Sequence, residues 1–247
     1  MYRSRNPTLS DSTFDKSNYR ETTWWNDTSN LMTMEGTVDK TAILLLITTT
    51  LAIATYATMP ELFIIGFLGG LITFLIIIFT KSTNPVAICI YAFFQGISLG
   101  GFTYFIEKAI GMQGLGILAA ALTFVILAAM LTIYRAGLIS WNRNLAIAVY
   151  SSIGAILFIY VVSFIGIFLG FEIPLIHGNG SVGIVFSLFV IGIGALCLVA
   201  DFDFIEKGVE RGAPKQLEWR AAFGLMVTLI WLYIEILNLL AKLASRR

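Results

Sequence analysis

Between Thr41 and Leu243 the chain strings together seven apolar runs, each about as long as a helix needs to cross a bilayer. Roughly 20 such residues, rising 1.5 Å each, cover ~30 Å of hydrocarbon. Lipid offers no water to an open N–H or C=O, so runs of this kind must close their own hydrogen bonds as helices. They fall near residues 41–58, 61–80, 85–106, 114–134, 145–170, 181–203 and 221–243. The expected fold is all-α, a polytopic membrane protein built as a bundle of seven transmembrane helices.

Composition agrees. Hydrophobic residues make up 57% of the 247 and charged ones only 13%, with a mean hydropathy of +0.85. A soluble domain carries about 25% charge. Residues 1–38 are polar, rich in Ser, Thr and Asn, and read as a flexible cytoplasmic tail ahead of a transmembrane domain at 39–247. Tyr2, Trp24, Trp25, Leu31 and Met32 are candidates to dock part of that tail among lipid headgroups, where aromatic and apolar side chains settle. No apolar secretory segment precedes the first run, which is therefore expected to act as an uncleaved insertion signal. Cys89 and Cys197 lie inside apolar runs and read as small buried hydrophobes rather than a disulfide.

Basic residues set the expected orientation. With seven spans, one side receives Arg3, Arg5, Lys16, Arg20, Lys40, Lys81, Arg135, Arg143, Lys207, Arg211, Lys215 and Arg220, while the other receives only Lys108. The positive-inside rule then puts the N-terminus in the cytoplasm. Lys242, Arg246 and Arg247 follow the last run and leave two readings open. It is a true span with a basic tail outside, the favoured reading, or a re-entrant segment. Gly66 with Gly70, Gly96 with Gly100, and Gly166 with Gly170 are spaced four apart, which lets helices approach closely. Packing within a monomer is expected, with a dimer seam as the alternative.

Within this apolar frame, acids sit inside or at the edge of only the last two runs. A carboxylate in hydrocarbon is costly and reads by default as functional. Asp201 and Asp203 close the sixth run in the stretch DFDFIEKG, and Glu235 lies within LIWLYIEILNLLAKL. Asp201 and Asp203, two apart, face different sides of a helix, and Asp203 reads as the more interfacial. Glu235 is the deepest, with Asn238 or Ser98 as expected hydrogen-bond partners if its role is structural. Gln95 and Ser98, set among Gly96, Gly100 and Gly101, form a polar stripe that faces either a cavity or a neighbouring helix. His177 sits in an outer loop with Glu172 and reads as solvated. No nucleophile–base pair, phosphate loop or HExxH-type site occurs, so no enzyme, no cofactor and no nucleic-acid partner is expected. A metal site is left unassigned.

Several of these residues together resemble the Bax inhibitor-1 family, and its bacterial branch in particular. They are Phe94-Gln95-Gly96-Ile97-Ser98-Leu99-Gly100 in the third span, the Asp201-Phe202 step closing the sixth, and Leu232-Tyr233-Ile234-Glu235-Ile236-Leu237-Asn238-Leu239 in the seventh. The resemblance runs from Thr41 to the end. It implies a bundle with the last helix central and a pH-sensitive calcium leak, with calcium as the transported ion. It further implies a proton sensor of two acids, matched here by Asp201 and Glu235, with a glutamate where the family has its second aspartate. Asp203, Gln95, Ser98 and Asn238 are then candidate neighbours of the pore or sensor. An inner-membrane location follows from the same likeness. So does an alternative role, as an interaction protein that modulates a membrane-anchored ATP-dependent protease. Counting along the helices, Asp201 is about 8 Å from Glu206 and Glu235 about 22 Å from Arg220. The two meet only if the seventh helix starts later than residue 221, tilts or extends.

Overall fold

The computed structural model describes residues 30–169 and 180–246, the side chains at 167 and 168 excepted. Among these residues there are seven α-helices: α1 (Met34–Thr58), α2 (Phe63–Thr80), α3 (Pro85–Ile110), α4 (Leu115–Arg135), α5 (Arg143–Leu169), α6 (Ser181–Glu210) and α7 (Leu217–Ala244). A 3-10 turn, Pro60–Leu62, joins α1 to α2, and one isolated β-bridge pairs Leu31 with Pro214. All seven helices are long and apolar enough to cross a membrane. The expectations for Tyr2, Trp24, Trp25, Gly170, Glu172, His177 and Arg247 lie outside the described residues.

Several helices run well beyond the apolar runs, while the shortfalls, at α2, α4 and α5, are of only one or two residues. The helices α1, α3, α6 and α7 extend past the runs to Met34, Ile110, Glu210 and Leu217. Hydropathy marks only the part of a helix that lipid must cover, and a helix continues beyond it wherever its end is capped. Extension of α3 brings a further acid into a helix, because Glu107 lies in its last turns and is buried. The expectation that acids attend only the last two spans is thereby corrected. Helix α7 is unbroken over 28 residues, about 42 Å of rise. A helix of that length is long enough for a full span, the favoured reading of the last segment. It is also the most buried span, with 67% of its apolar window covered against 11% for α5.

The chain divides into two compact units, Met1–Phe105 with Asp201–Val227, and Ile106–Ala200 with Thr228–Arg247. In the first unit, glycines set the spacing of α1, α2 and α3. A Cβ on Gly96 would fall 2.7 Å from the Thr48 carbonyl oxygen of α1, and one on Gly100 would run into the carbonyl oxygen of Ala52. On α2, a Cβ on Gly66 would lie 2.5 Å from the Ser98 amide nitrogen. So α3 lies against α1 and α2 at backbone distance, and Thr48 Oγ1 uses the proximity to donate to the Ala92 carbonyl at 3.1 Å. This is the small-residue packing that membrane helices rely on where no hydrophobic drive exists between them. Tyr91 of α3 meets Phe223 of α7 edge to face, with ring centroids 4.9 Å apart.

The same unit ties the start of α1 to the α6–α7 connection. Gly212 takes a positive φ of 64°, which turns the chain out of α6 toward Ala213 and Pro214. Met32 N then donates to the Ala213 carbonyl at 2.7 Å, and Lys215 N donates to the Asn30 carbonyl at 2.8 Å. The Met32 side chain is buried among Phe204, Ile205, Ala213, Leu217 and Ala221. Leu31 and Met32 therefore dock onto protein rather than among headgroups, because the backbone bridge places them there. Glu218, fully buried, accepts from Thr33 N at 2.8 Å and from Thr33 Oγ1 at 3.0 Å, and pairs with Lys40. Thr33 also accepts from Gly36 N at 2.9 Å and so caps α1.

The second unit has a core of Val149, Ile156, Val190 and Ile193, with Tyr160, Phe186 and Trp231 packed against it. Its glycine contact is Gly194 of α6, where a Cβ would lie 2.8 Å from a methyl of Leu232. Glu107 caps α4 by accepting from Gly116 N at 2.8 Å. Large apolar side chains such as Ile117, Val125, Leu157 and Phe158 are exposed, as expected of faces turned to hydrocarbon.

A glycine contact of this kind has a testable sign. Gly100→Val should lower unfolding stability by about 3 kcal/mol, since overpacking against a fixed backbone oxygen cannot be relieved by a rotamer change. A Cβ on Gly154 meets nothing within 4 Å. Gly154→Ala should therefore be neutral or stabilise by up to ~1 kcal/mol through helix propensity. Thermal unfolding in detergent micelles reads both.

Candidate functional site

Glu235 is one of the three acids singled out by the sequence. It lies on α7, is 5% exposed, and belongs to the second unit. Tyr160 of α5 donates its hydroxyl to Glu235 Oε1 at 2.6 Å. Trp231, one turn earlier on α7, donates its indole N–H to the same oxygen at 3.2 Å. Residues four apart share a helix face, so the Trp231–Glu235 pair is a local consequence of helical geometry. The Tyr160 bond is not local, and it ties α5 to α7. Tyr160 is held in turn by the edge of Phe186 on α6, with ring centroids 6.4 Å apart.

Two turns further along the same face of α7, Lys242 completes the polar seam. Its ammonium donates to Ser187 Oγ at 2.9 Å and to the Gly183 carbonyl at 3.2 Å, both on α6. The seam thus holds one carboxyl and one ammonium about 10 Å apart along α7, each bonded to a different neighbouring helix. Both partners of the carboxyl are uncharged donors. A carboxylate accepts from such groups without being neutralised, so it keeps its capacity to take up a proton.

Asp201 is 2% exposed on α6 and belongs to the first unit, so the two acids matched to a sensor lie in different units. Asp203 is half-buried and pairs with Lys207 one turn on. Gln95 lies against Gly70 of α2 and shares a hydrogen bond with Tyr91. Ser98 is buried, with its backbone nitrogen against Gly66. Both belong to the first unit and fill the helix seam described above. Asn238 is half-buried one turn beyond Glu235 on α7. The bonds to Glu235 come from Tyr160 and Trp231, in place of the Asn238 or Ser98 expected from the sequence. Among the described residues, no three His, Cys, Asp or Glu side chains gather where they could hold a metal ion.

Seven helices long and apolar enough to cross a membrane, three of them holding buried acids, define a polytopic integral membrane protein. A sequence profile described as Bax inhibitor 1 like matches residues 6–245. The chain belongs to that family. No curated protein matches it.

The α5–α7 tether predicts energetic coupling. Tyr160→Phe should cost about 1–3 kcal/mol of stability, the range for a hydrogen bond to a buried acid. In a double-mutant cycle with Glu235→Leu, Tyr160→Phe should be nearly silent once the carboxyl is gone, giving a coupling energy near 1 kcal/mol or more. Thermal or denaturant unfolding of the four proteins measures it.

Proposed function

We propose that this member of the Bax inhibitor 1 like family is a pH-sensitive leak channel for cations, with calcium as cargo. Its membrane-buried acids Glu235 and Asp201 are the groups that titrate. The observation that carries the reading is the setting of Glu235, buried in a spanning helix yet bonded only to the neutral donors Tyr160 and Trp231. A buried acid whose role was only to hold helices together would do so at lower cost as an amide. Left without a cationic partner bonded to it, this carboxyl can switch between charged and neutral.

The switch works through elementary electrostatics. Ionised, Glu235 presents negative charge and oxygen ligands at membrane depth, which lowers the barrier to a hard cation. Its two hydrogen bonds are then charge-assisted, and α5 is held firmly to α7. Protonated, it loses the charge, and one oxygen becomes a donor that no longer matches the Tyr160 hydroxyl in the same way. The path closes as pH falls. Asp201 supplies a second titrating carboxyl within α6. The Lys and Arg distribution favours a cytoplasmic N-terminus, and the resemblance of the span motifs to the family's bacterial branch, read from the sequence alone, favours the cytoplasmic membrane.

Ion flux in proteoliposomes loaded with a calcium reporter tests this. Flux should rise with pH, by at most about tenfold per unit for each titrating carboxyl. Glu235→Gln should lower it at high pH and flatten the profile, and Asp201→Asn should shift or flatten what remains. Flux that is independent of pH and untouched by both substitutions, in variants that unfold at the wild-type temperature, contradicts the proposal.

A further inference from the structure

Lys242 lies seven residues beyond Glu235 on α7, and seven residues bring a helix back to within about 20° of the same direction. It is half-buried, in the last turn of the helix. A lysine near a helix end can extend its ammonium to water while its stem stays in apolar surroundings. This ammonium instead donates to Ser187 Oγ at 2.9 Å and to the Gly183 carbonyl at 3.2 Å. Both of those α6 residues are buried. Bonds to neutral oxygens hold the ammonium in place and leave its charge uncompensated.

An opposite charge is available on the same face. Glu235, buried and in the same unit, lies about 10 Å away along α7. The two groups interact electrostatically. Other titratable and charged groups on the surrounding helices are worse placed to act on Glu235. On α5, Tyr160 offers a neutral hydroxyl, and Arg143 lies about 25 Å of helix rise from Tyr160. On α6, residues 181–200 carry no charge, and Cys197 packs against the core that holds Tyr160 and Trp231. Asp201, next on α6, belongs to the first unit. On α7, Tyr233 is two residues from Glu235 and so faces another side. Arg246 is exposed and about 16 Å beyond Glu235, further than charges reach through salt water.

The geometry points to Lys242 as the fixed counter-charge of Glu235, a positioning residue that favours the ionised carboxylate and sets the pH at which it takes up a proton. This rests on the reading of Glu235 as a group that titrates. Across about 10 Å at an effective dielectric constant of ~20, the attraction corresponds to about one pH unit. The coupling runs both ways. When Glu235 is protonated, the ammonium loses its counter-charge and depends on Ser187 and Gly183 alone. A proton taken up beside α5 is thereby felt at the contact between α7 and α6.

The test follows the protonated-carboxyl infrared band of Glu235 across pH in the full chain, reconstituted in liposomes at low salt and assigned by its loss in Glu235→Gln. Lys242→Gln keeps a donor for Ser187 and Gly183 but removes the charge, so the midpoint should rise by about one pH unit. Lys242→Met drops both bonds as well and should give the same rise. Lys242→Arg keeps the charge and should titrate with the wild-type midpoint. A lysine that only tethered α7 to α6 would leave the midpoint unmoved in Lys242→Gln. An unmoved midpoint there, or an equal rise in Lys242→Arg, overturns the inference and leaves the titration of Glu235 standing. Calcium flux that ignores pH, in a protein whose Glu235 band still follows residue 242 in this way, contradicts the channel and upholds the counter-charge. A Glu235 band that never titrates overturns both.

Discussion

A carboxyl group inside hydrocarbon needs hydrogen-bond donors, and at Glu235 that need shapes the second unit. The Tyr160 hydroxyl reaches it from α5 and the Trp231 indole from its own helix, while Lys242 of the same face reaches α6. An α-helix satisfies its backbone internally, so in lipid only side chains and close packing remain to specify which helices meet. Here α7 makes polar contacts with both α5 and α6 from one face. The most buried helix thus carries both Glu235 and Lys242, while buried Asp201 lies on α6.

The first unit solves the same problem with different means. Its α1, α2 and α3 meet through glycines at backbone distance, and its polar anchor, Glu218, sits at the helix ends rather than at depth. Glu218 differs from Glu235 in one decisive respect: it is paired with a cation, Lys40, and capped by Thr33. A buried acid neutralised by a bonded lysine holds structure, and removing either partner leaves a costly charge behind. Glu235 is hydrogen-bonded only by the neutral donors Tyr160 and Trp231, and the proposed switch rests on that contrast.

Much of the architecture was legible in the sequence, because apolar length alone dictates spanning helices. Gly96 and Gly100 announced a close helix contact, though not that α1 would make it, and Glu235 stood out by cost. The Trp231 bond was also within reach, since a donor four residues away on a helix shares the acid's face. Tyr160 was not, because 75 positions separate it from Glu235 and only tertiary packing brings it there. Glu218 and Glu107 escaped notice for a related reason. Each lies just outside an apolar run, where a charge looks solvated until the helix is seen to continue and bury it. Met32 looked like a membrane anchor, and only the bridge between Leu31 and Pro214 shows that its partner is protein.

The central claim is that Glu235 changes protonation while bonded to Tyr160, and infrared difference spectroscopy of the reconstituted protein addresses it most directly. Spectra recorded across pH, with Glu235→Gln as the reference, should reveal a protonated-carboxyl stretch that grows as pH falls and is missing from the variant. In Tyr160→Phe the same band should shift, because the carboxyl has lost its closest donor. A Glu235 band that is constant at every pH, or one that Tyr160→Phe leaves unmoved, would contradict the account.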